Sequence, residues 1–77
     1  MNIKIRTFGK FTEIITDNHL EIENHFDTDN LRIEIEKKYP AFKKAKYFLV
    51  VDNKMVLENT TLTEHSVVDI MPPFSGG

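Results

Sequence analysis

The sequence closes with Val67-Val68-Asp69-Ile70-Met71-Pro72-Pro73-Phe74-Ser75-Gly76-Gly77, an apolar run joined to two prolines and a glycine pair. The apolar run predicts a strand, which should stop at Met71 because proline cannot donate a ladder hydrogen bond. Proline also keeps the residue before it extended, so the two prolines should direct the chain away from the sheet. We therefore predict a folded domain at residues 1–71 and an extended tail at residues 72–77.

The tip of this tail has no side chains. Gly76 and Gly77 would let the walls of a partner protein approach the backbone closely, which suits a strand threaded into a narrow channel. The Gly77 carboxylate would then lie at the leading end. The alternative is a frayed terminus, which is the commonest state of a chain end. The local residues leave both interpretations open.

Working back from the tail, short alternating or apolar segments predict five strands. They cover residues 2–8, 19–23, 47–51, 55–57 and 66–71, with a helical turn at residues 10–15. In the last strand we place Val68 and Ile70 inward, and Val67, Asp69 and Met71 outward. The phase of residues 47–51 cannot be read, because every residue there is apolar.

One main helix is predicted between the second and third strands. Asp27 or Thr28 can cap its free amides, apolar residues recur every four positions from Leu31 to Tyr39, and Pro40 marks its end. The six residues from Leu31 also alternate with period two, so a strand competes with the helix here. We favour the helix, because the segment is rich in good helix formers between a cap and a proline.

This order of elements predicts an α+β fold, a mixed sheet with one main helix packed on one face, in the β-grasp arrangement. The first and last strands should lie side by side at the centre, and the first two strands should form an antiparallel hairpin. Leu31 and Ile35 of the helix should pack against the aliphatic side chains that point inward from the sheet and from the connection before the last strand. These are Ile3, Ile5, Leu20, Ile22, Leu62, Val68 and Ile70.

Size and composition exclude several function classes. A chain of 77 residues buries only about 60% of its unfolded surface, so a deep catalytic cleft is not expected. The net charge of −2 gives no argument for binding nucleic acid or a membrane. No apolar run approaches the roughly 20 residues that span a bilayer, and the N-terminus lacks the apolar core of a signal peptide. We expect a cytoplasmic protein.

Three common kinds of functional site, which are thiols, metal-ligand clusters and phosphate-binding loops, find no support in the sequence. The chain has no cysteine, which excludes disulfides, thiolate metal sites and thiol catalysis. Its three histidines, His19, His25 and His65, lack metal-ligand spacing, so no metal site is predicted. No phosphate-binding glycine loop is present, so any ATP in the chemistry of this chain would be bound by another protein.

Five lysines fall in one ten-residue window: Lys37, Lys38, Lys43, Lys44 and Lys46. The simpler interpretation is a solvated helix end, where cations complement the helix dipole. The alternative is a surface that docks a partner.

With fold and tail predicted, the whole chain resembles the small subunits of molybdopterin synthase, the MoaD group of ubiquitin-like sulfur carriers. The most specific likeness is Pro72-Pro73-Phe74-Ser75-Gly76-Gly77, which is similar to the Pro-Pro-x-x-Gly-Gly ending of that family. Residues 8–13 resemble the segment that follows the family's first strand. Leu62 resembles a leucine that precedes the family's last strand. The chain differs at His65-Ser66, where the family usually has Gly-Asp, and at Phe74, where it often has Val.

The resemblance implies that the chain carries sulfur and is not catalytic alone. An E1-like adenylating enzyme would use ATP and Mg²⁺ to convert the Gly77 carboxylate into an acyl-adenylate. Sulfur from a persulfide donor would displace AMP and leave a thiocarboxylate. In a heterotetramer with the large synthase subunit, the tail would sulfurate cyclic pyranopterin monophosphate during molybdenum cofactor biosynthesis. This chain would bind no cofactor itself, and the large subunit would supply the catalytic side chains.

The expected site therefore has two parts. Gly77, with Gly76 before it, would carry the reacting group. The surface for the large subunit would comprise Phe74, Ser75, Pro72, Pro73, Met71 and Val67. Three alternatives stay open: a sulfur carrier for thiamine, a ubiquitin-like modifier that forms isopeptide bonds, and an inert β-grasp interaction domain. The proline pair argues against the thiamine carrier.

Overall fold

The computed structural model of the protein describes residues 2–16, 18–21 and 27–73. Its five strands form one mixed sheet in the order β2-β1-β5-β3-β4, in which β1 and β5 are parallel and the other neighbours antiparallel. The strands are β1 (Asn2–Thr7), β2 (His19–Glu21), β3 (Phe48–Val51), β4 (Lys54–Val56) and β5 (Val67–Met71). This order confirms the predicted β-grasp fold, with the first and last strands at its centre.

The inward face of the sheet carries the core. Ile5 lies opposite Val68 in the pairing of β1 with β5, and both side chains are buried, as are Ile3 and Ile70. Leu20 and Leu62 are also buried, as predicted. Ile22, the remaining predicted core aliphatic, lies outside the described residues.

The competition between helix and strand is resolved in favour of α1 (Thr28–Lys38). The side chain of Asp27 accepts a hydrogen bond from the backbone amide of Asn30 at 2.9 Å, and this bond is the main reason why the pKa of Asp27 is lowered. Leu31 and Ile35 are buried against the sheet, whereas Ile33, the residue that completed the period-two pattern, is 61% exposed. A helix places Ile33 on its solvent side at no cost in packing.

An aromatic cluster that the sequence analysis did not predict closes one end of the core. The rings of Phe11 and Phe42 lie 4.8 Å apart, and Phe42 meets Tyr47 edge-on at 5.3 Å. Phe11 belongs to a short 3-10 helix (Gly9–Glu13), which confirms the predicted helical turn, and Phe42 belongs to a second one (Pro40–Lys43). Edge-on and offset ring contacts of this kind are favourable beyond their buried area.

Asp69 of β5 is a charged residue with little exposed surface. It lies on the outward face, as predicted, yet the residue is only 6% exposed. The cause is Arg6, the neighbour of Asp69 in the pairing of β1 with β5. The guanidinium of Arg6 donates to both carboxylate oxygens, through Nε to Oδ1 and through Nη2 to Oδ2, the latter at 2.9 Å. A fork of two parallel hydrogen bonds covers the carboxylate and satisfies it.

Candidate functional site

The root of the tail is the part of the predicted site that the structure describes. β5 ends at Met71, and Pro72 and Pro73 continue from it in a half-buried position. The other predicted tail residues, Phe74, Ser75, Gly76 and Gly77, lie outside the described residues. The geometry of the site therefore concerns the surfaces around the point where the chain leaves the sheet.

Gly9, the first residue of the 3-10 helix that follows β1, packs against this point. A Cβ atom on Gly9 would lie 3.2 Å from Cγ of Pro72 and 3.9 Å from Cδ, and Gly9 has a φ of +58°. The position thus has a left-handed backbone, and any side chain there would press on the ring of Pro72. The 3-10 helix that begins at Gly9 is anchored by the buried ring of Phe11 and by a hydrogen bond from the Thr12 hydroxyl to the Gly9 carbonyl at 2.9 Å.

The outward side of the sheet presents apolar side chains beside the root of the tail. We call this surface the outer face. Phe48 of β3 lies directly opposite Met71 of β5, and Val50 lies opposite Met55 of β4. In the described part of the chain no helix packs on this side, since α1 covers the inward side through Leu31 and Ile35. The apolar members of the outer face are Phe48, Val50, Met55, Val67 and Met71, all half-buried or exposed.

Two of these residues, Met71 and Val67, belong to the predicted partner surface, and the structure adds Phe48 and Val50. The sequence could not identify them, because residues 47–51 are all apolar and their inward phase was unreadable. The structure fixes that phase by burying Leu49 and Val51. The charged residues of this face lie towards β1, where Arg6 pairs with Asp69 and the exposed Lys4 lies opposite Val67. An apolar surface with paired charges suits a protein partner.

Other kinds of site find no support in the described residues. Within residues 2–16, 18–21 and 27–73, no group of three or more His, Asp or Glu side chains is placed to hold a metal ion. No helix in the same residues is long and apolar enough to cross a membrane.

Three solved structures share this fold over nearly the whole chain. A protein from Pyrococcus furiosus, provisionally assigned as subunit 1 of molybdopterin converting factor, matches with a TM-score of 0.84 and 20% identity, covering 95% of this chain and 98% of its own. The HVO 2177 protein of Haloferax volcanii matches with a TM-score of 0.79 and 18% identity, covering 100% and 87%. Small archaeal modifier protein 1 (SAMP1) of Methanosarcina acetivorans matches with a TM-score of 0.74 and 21% identity, covering 99% and 96%.

These TM-scores show a common fold, and at 18–21% identity they show the fold alone. No curated protein matches the sequence. The sequence pattern of the ThiS family, in contrast, matches residues 5–77, from the middle of β1 to the end of the tail. The chain therefore belongs to the ThiS family, and it is a ubiquitin-like sulfur carrier of the ThiS/MoaD type.

Proposed function

We propose that this chain is the sulfur-carrier subunit of a molybdopterin synthase, acting in the cytoplasm. The observation that carries the proposal is the ending Pro72-Pro73-Phe74-Ser75-Gly76-Gly77, placed directly after the central strand β5. The proline pair distinguishes this ending from a plain Gly-Gly terminus. The fold shared with the Pyrococcus furiosus protein agrees with this assignment.

The proposed chemistry begins with activation of the terminal carboxylate. A carboxylate is a poor electrophile, so an oxygen of Gly77 attacks the α-phosphate of ATP in an E1-like enzyme, which releases pyrophosphate and forms an acyl-adenylate. The terminal sulfur of a persulfide on the donor then attacks the carbonyl carbon and AMP leaves, which gives an acyl disulfide. A thiol of the donor or activating partner cleaves the sulfur–sulfur bond and is itself oxidised to a disulfide. The product is a thiocarboxylate, and this route lets a chain without cysteine carry sulfur.

The second stage transfers the sulfur inside the large subunit. The thiocarboxylate is a soft nucleophile that attacks cyclic pyranopterin monophosphate, and hydrolysis of the resulting acyl link returns the Gly77 carboxylate. Two such transfers make one dithiolene. This chain supplies the reacting terminus and its direction, through Gly76 and the two prolines, while the large subunit supplies the catalytic side chains.

Docking to the large subunit would use the outer face together with the tail. Met71 at the root and Val67 at the other end of β5 are half-buried apolar residues, and Phe74 and Ser75 follow Met71 in the sequence after the two prolines. A few apolar residues in a central patch usually dominate the energy of such an interface. We therefore expect Phe74→Asp to weaken the complex, and an unchanged affinity would remove Phe74 from the interface.

Mass spectrometry of the C-terminal peptide tests the carrier role. After incubation with a matched activating enzyme, ATP and a sulfur donor, the peptide should gain the mass difference between one sulfur and one oxygen. A variant with one residue added after Gly77 is the control, since it should fold and yet stay unmodified. If the extended chain still supported sulfuration of the pterin, the mechanism would be wrong.

Two further assays, a search for lysine conjugates and sulfuration of the pterin with the large subunit, separate the alternatives. A ubiquitin-like modifier, the class named for the Methanosarcina protein, would instead form lysine conjugates through Gly77. A thiamine carrier would accept the same sulfur but would fail to sulfurate cyclic pyranopterin monophosphate with the large subunit. An unmodified peptide would favour an inert interaction domain.

A further inference from the structure

The charge of this chain is unevenly distributed. Residues 37–46 contain five lysines and no acidic residue, so this window carries +5 while the whole chain carries −2. The remaining residues therefore carry −2 − 5 = −7. Such a concentration of one sign creates a local field that attracts the opposite charge. The proposed sulfur chemistry makes no use of it.

The structure places part of this charge around an open groove of about 370 Å³. The groove lies between the end of α1, the second 3-10 helix and the start of β3. Its cations are Arg32, Lys43 and Lys46, and its one carboxylate among the described residues is Glu36. The remaining lining residues are Phe42, Ala45, Tyr47 and Phe48.

The carboxylate of Glu36 is already engaged inside the protein. It accepts a hydrogen bond from the hydroxyl of Tyr47 at 2.8 Å, and the guanidinium carbon of Arg32 lies 4.9 Å from the centre of the Tyr47 ring. Lys43 and Lys46 are different, because no carboxylate in the described part of the chain pairs with either ammonium group. The groove therefore has unneutralised positive charge at its rim.

Two of the three aromatic residues that line the groove, Phe42 and Tyr47, form a buried floor, and only Phe48 is half-buried. Phe42 is 1% exposed and Tyr47 is 9% exposed, because their rings cover each other and Arg32 lies over Tyr47. Single-stranded nucleic acid needs free ring faces on which its bases can stack. A peptide needs only apolar contact from the floor and charge from the rim, so the shape and the charge together favour an acidic peptide.

We propose that this groove docks an acidic segment of a partner protein, with Lys43 and Lys46 pairing its carboxylates over the floor formed by Phe42 and Tyr47. The groove adjoins the root of the tail through Phe48, which lines it and also lies opposite Met71 in the sheet. A partner that receives the tail can therefore reach both surfaces. The proposal does not depend on sulfur transfer. If this chain were instead a ubiquitin-like modifier, the protein that receives its tail could bind the same groove.

A nuclear magnetic resonance titration of the isotopically labelled full chain tests this. The probe is a synthetic peptide of six glutamates around one leucine, and we expect saturable amide shifts that concentrate on the groove residues. Lys43→Glu combined with Lys46→Glu should weaken binding by about tenfold or more, because two attractions become repulsions. Lys54→Glu is the matched control. Lys54 is exposed at the start of β4, opposite Val51 and therefore at the end of β3 away from the groove. The Lys54→Glu variant should bind the peptide like the unmodified chain, apart from a small general charge effect.

Three outcomes would overturn the proposal. The first is the absence of saturable shifts, and the second is an equal loss of binding in the Lys54 variant and the Lys43/Lys46 variant. The third uses an oligothymidylate of similar length and charge. If it bound the groove more tightly than the peptide, the ligand would be a nucleic acid and not an acidic peptide.

Discussion

Gly9 and Pro72 are packed so closely that the smallest side chain at Gly9 would meet the proline ring, at 3.2 Å from Cγ. This distance is shorter than the roughly 3.5–4.0 Å at which two carbon atoms attract most strongly. The contact joins the turn after β1 to the residue that follows β5, and so fixes where the tail leaves the sheet. The segment at residues 8–13, which carried part of the family resemblance, thus has a structural role beside the tail.

Gly9→Ala should destabilise the fold by about 2 kcal/mol, because a left-handed φ costs a non-glycine residue about 1–2 kcal/mol and the new methyl group also displaces Pro72. Chemical denaturation monitored by circular dichroism measures the loss. In a Pro72→Ala background, the cost of Gly9→Ala should fall toward the backbone strain alone. Equal costs in both backgrounds would show that the Pro72 contact carries no energy.

The pair formed by Arg6 and Asp69 should stabilise the central strands. Asp69→Asn keeps the shape of the side chain but loses the charge that both guanidinium bonds use, so we expect a lower midpoint of thermal unfolding, with a smaller difference at high salt. Arg6→Gln supplies the second arm of a double-mutant cycle. If Asp69→Asn cost the same with Gln at position 6, the burial of Asp69 and not its pairing would explain the loss.

The order of helices and strands could be predicted from the sequence, because the alternation of apolar residues, the helix cap and the prolines all indicate the same elements. The helix at Leu31 needed more than periodicity, since both periods were present. Asp27 and Pro40 decided it, as the cap and stop seen in the structure show. Local signals were adequate where each residue type restricts the backbone by itself.

Contacts between distant segments were beyond the sequence. Phe42 and Tyr47 join the core only because the second 3-10 helix folds back on Phe11, and nothing in the spacing of those residues signals it. The uniformly apolar β3 hid which side chains form the outer face, because periodicity requires polar residues to mark a phase. Likewise, the low exposure of Asp69 could not be predicted, because it results from hydrogen bonds to Arg6 on the neighbouring strand.

The pH dependence of stability should contain a contribution from Tyr47. Burial, followed by the hydrogen bond to Glu36, raises the pKa of Tyr47 from 10.0 to about 12. The folded state therefore disfavours the phenolate, so this contribution is fully present below pH 10 and is lost as the pH rises through about 12.

Tyr47→Phe isolates this contribution, since the variant cannot ionise there. Denaturation at a series of alkaline pH values should show the stability of the unmodified chain falling more steeply than that of the variant. In a Tyr39→Phe background, where Tyr47 is the only tyrosine, the ultraviolet absorbance of tyrosinate should have its midpoint near pH 12. A midpoint close to 10 would show that the ring is open to solvent.

The outer face leads to the last prediction, which rests on the proposed synthase role. Met71→Asp places a charge on the apolar surface beside the root of the tail, where desolvation on docking would be unfavourable. We expect the affinity for the large subunit, measured by calorimetry, to fall by about tenfold or more, as for other central interface residues. Ile33→Asp is the matched control, because Ile33 is a 61% exposed apolar residue on α1, across the sheet from the outer face. Circular dichroism of both variants checks that they fold. An equal effect of the two substitutions, or none at Met71, would mean that the large subunit holds the tail without using the outer face.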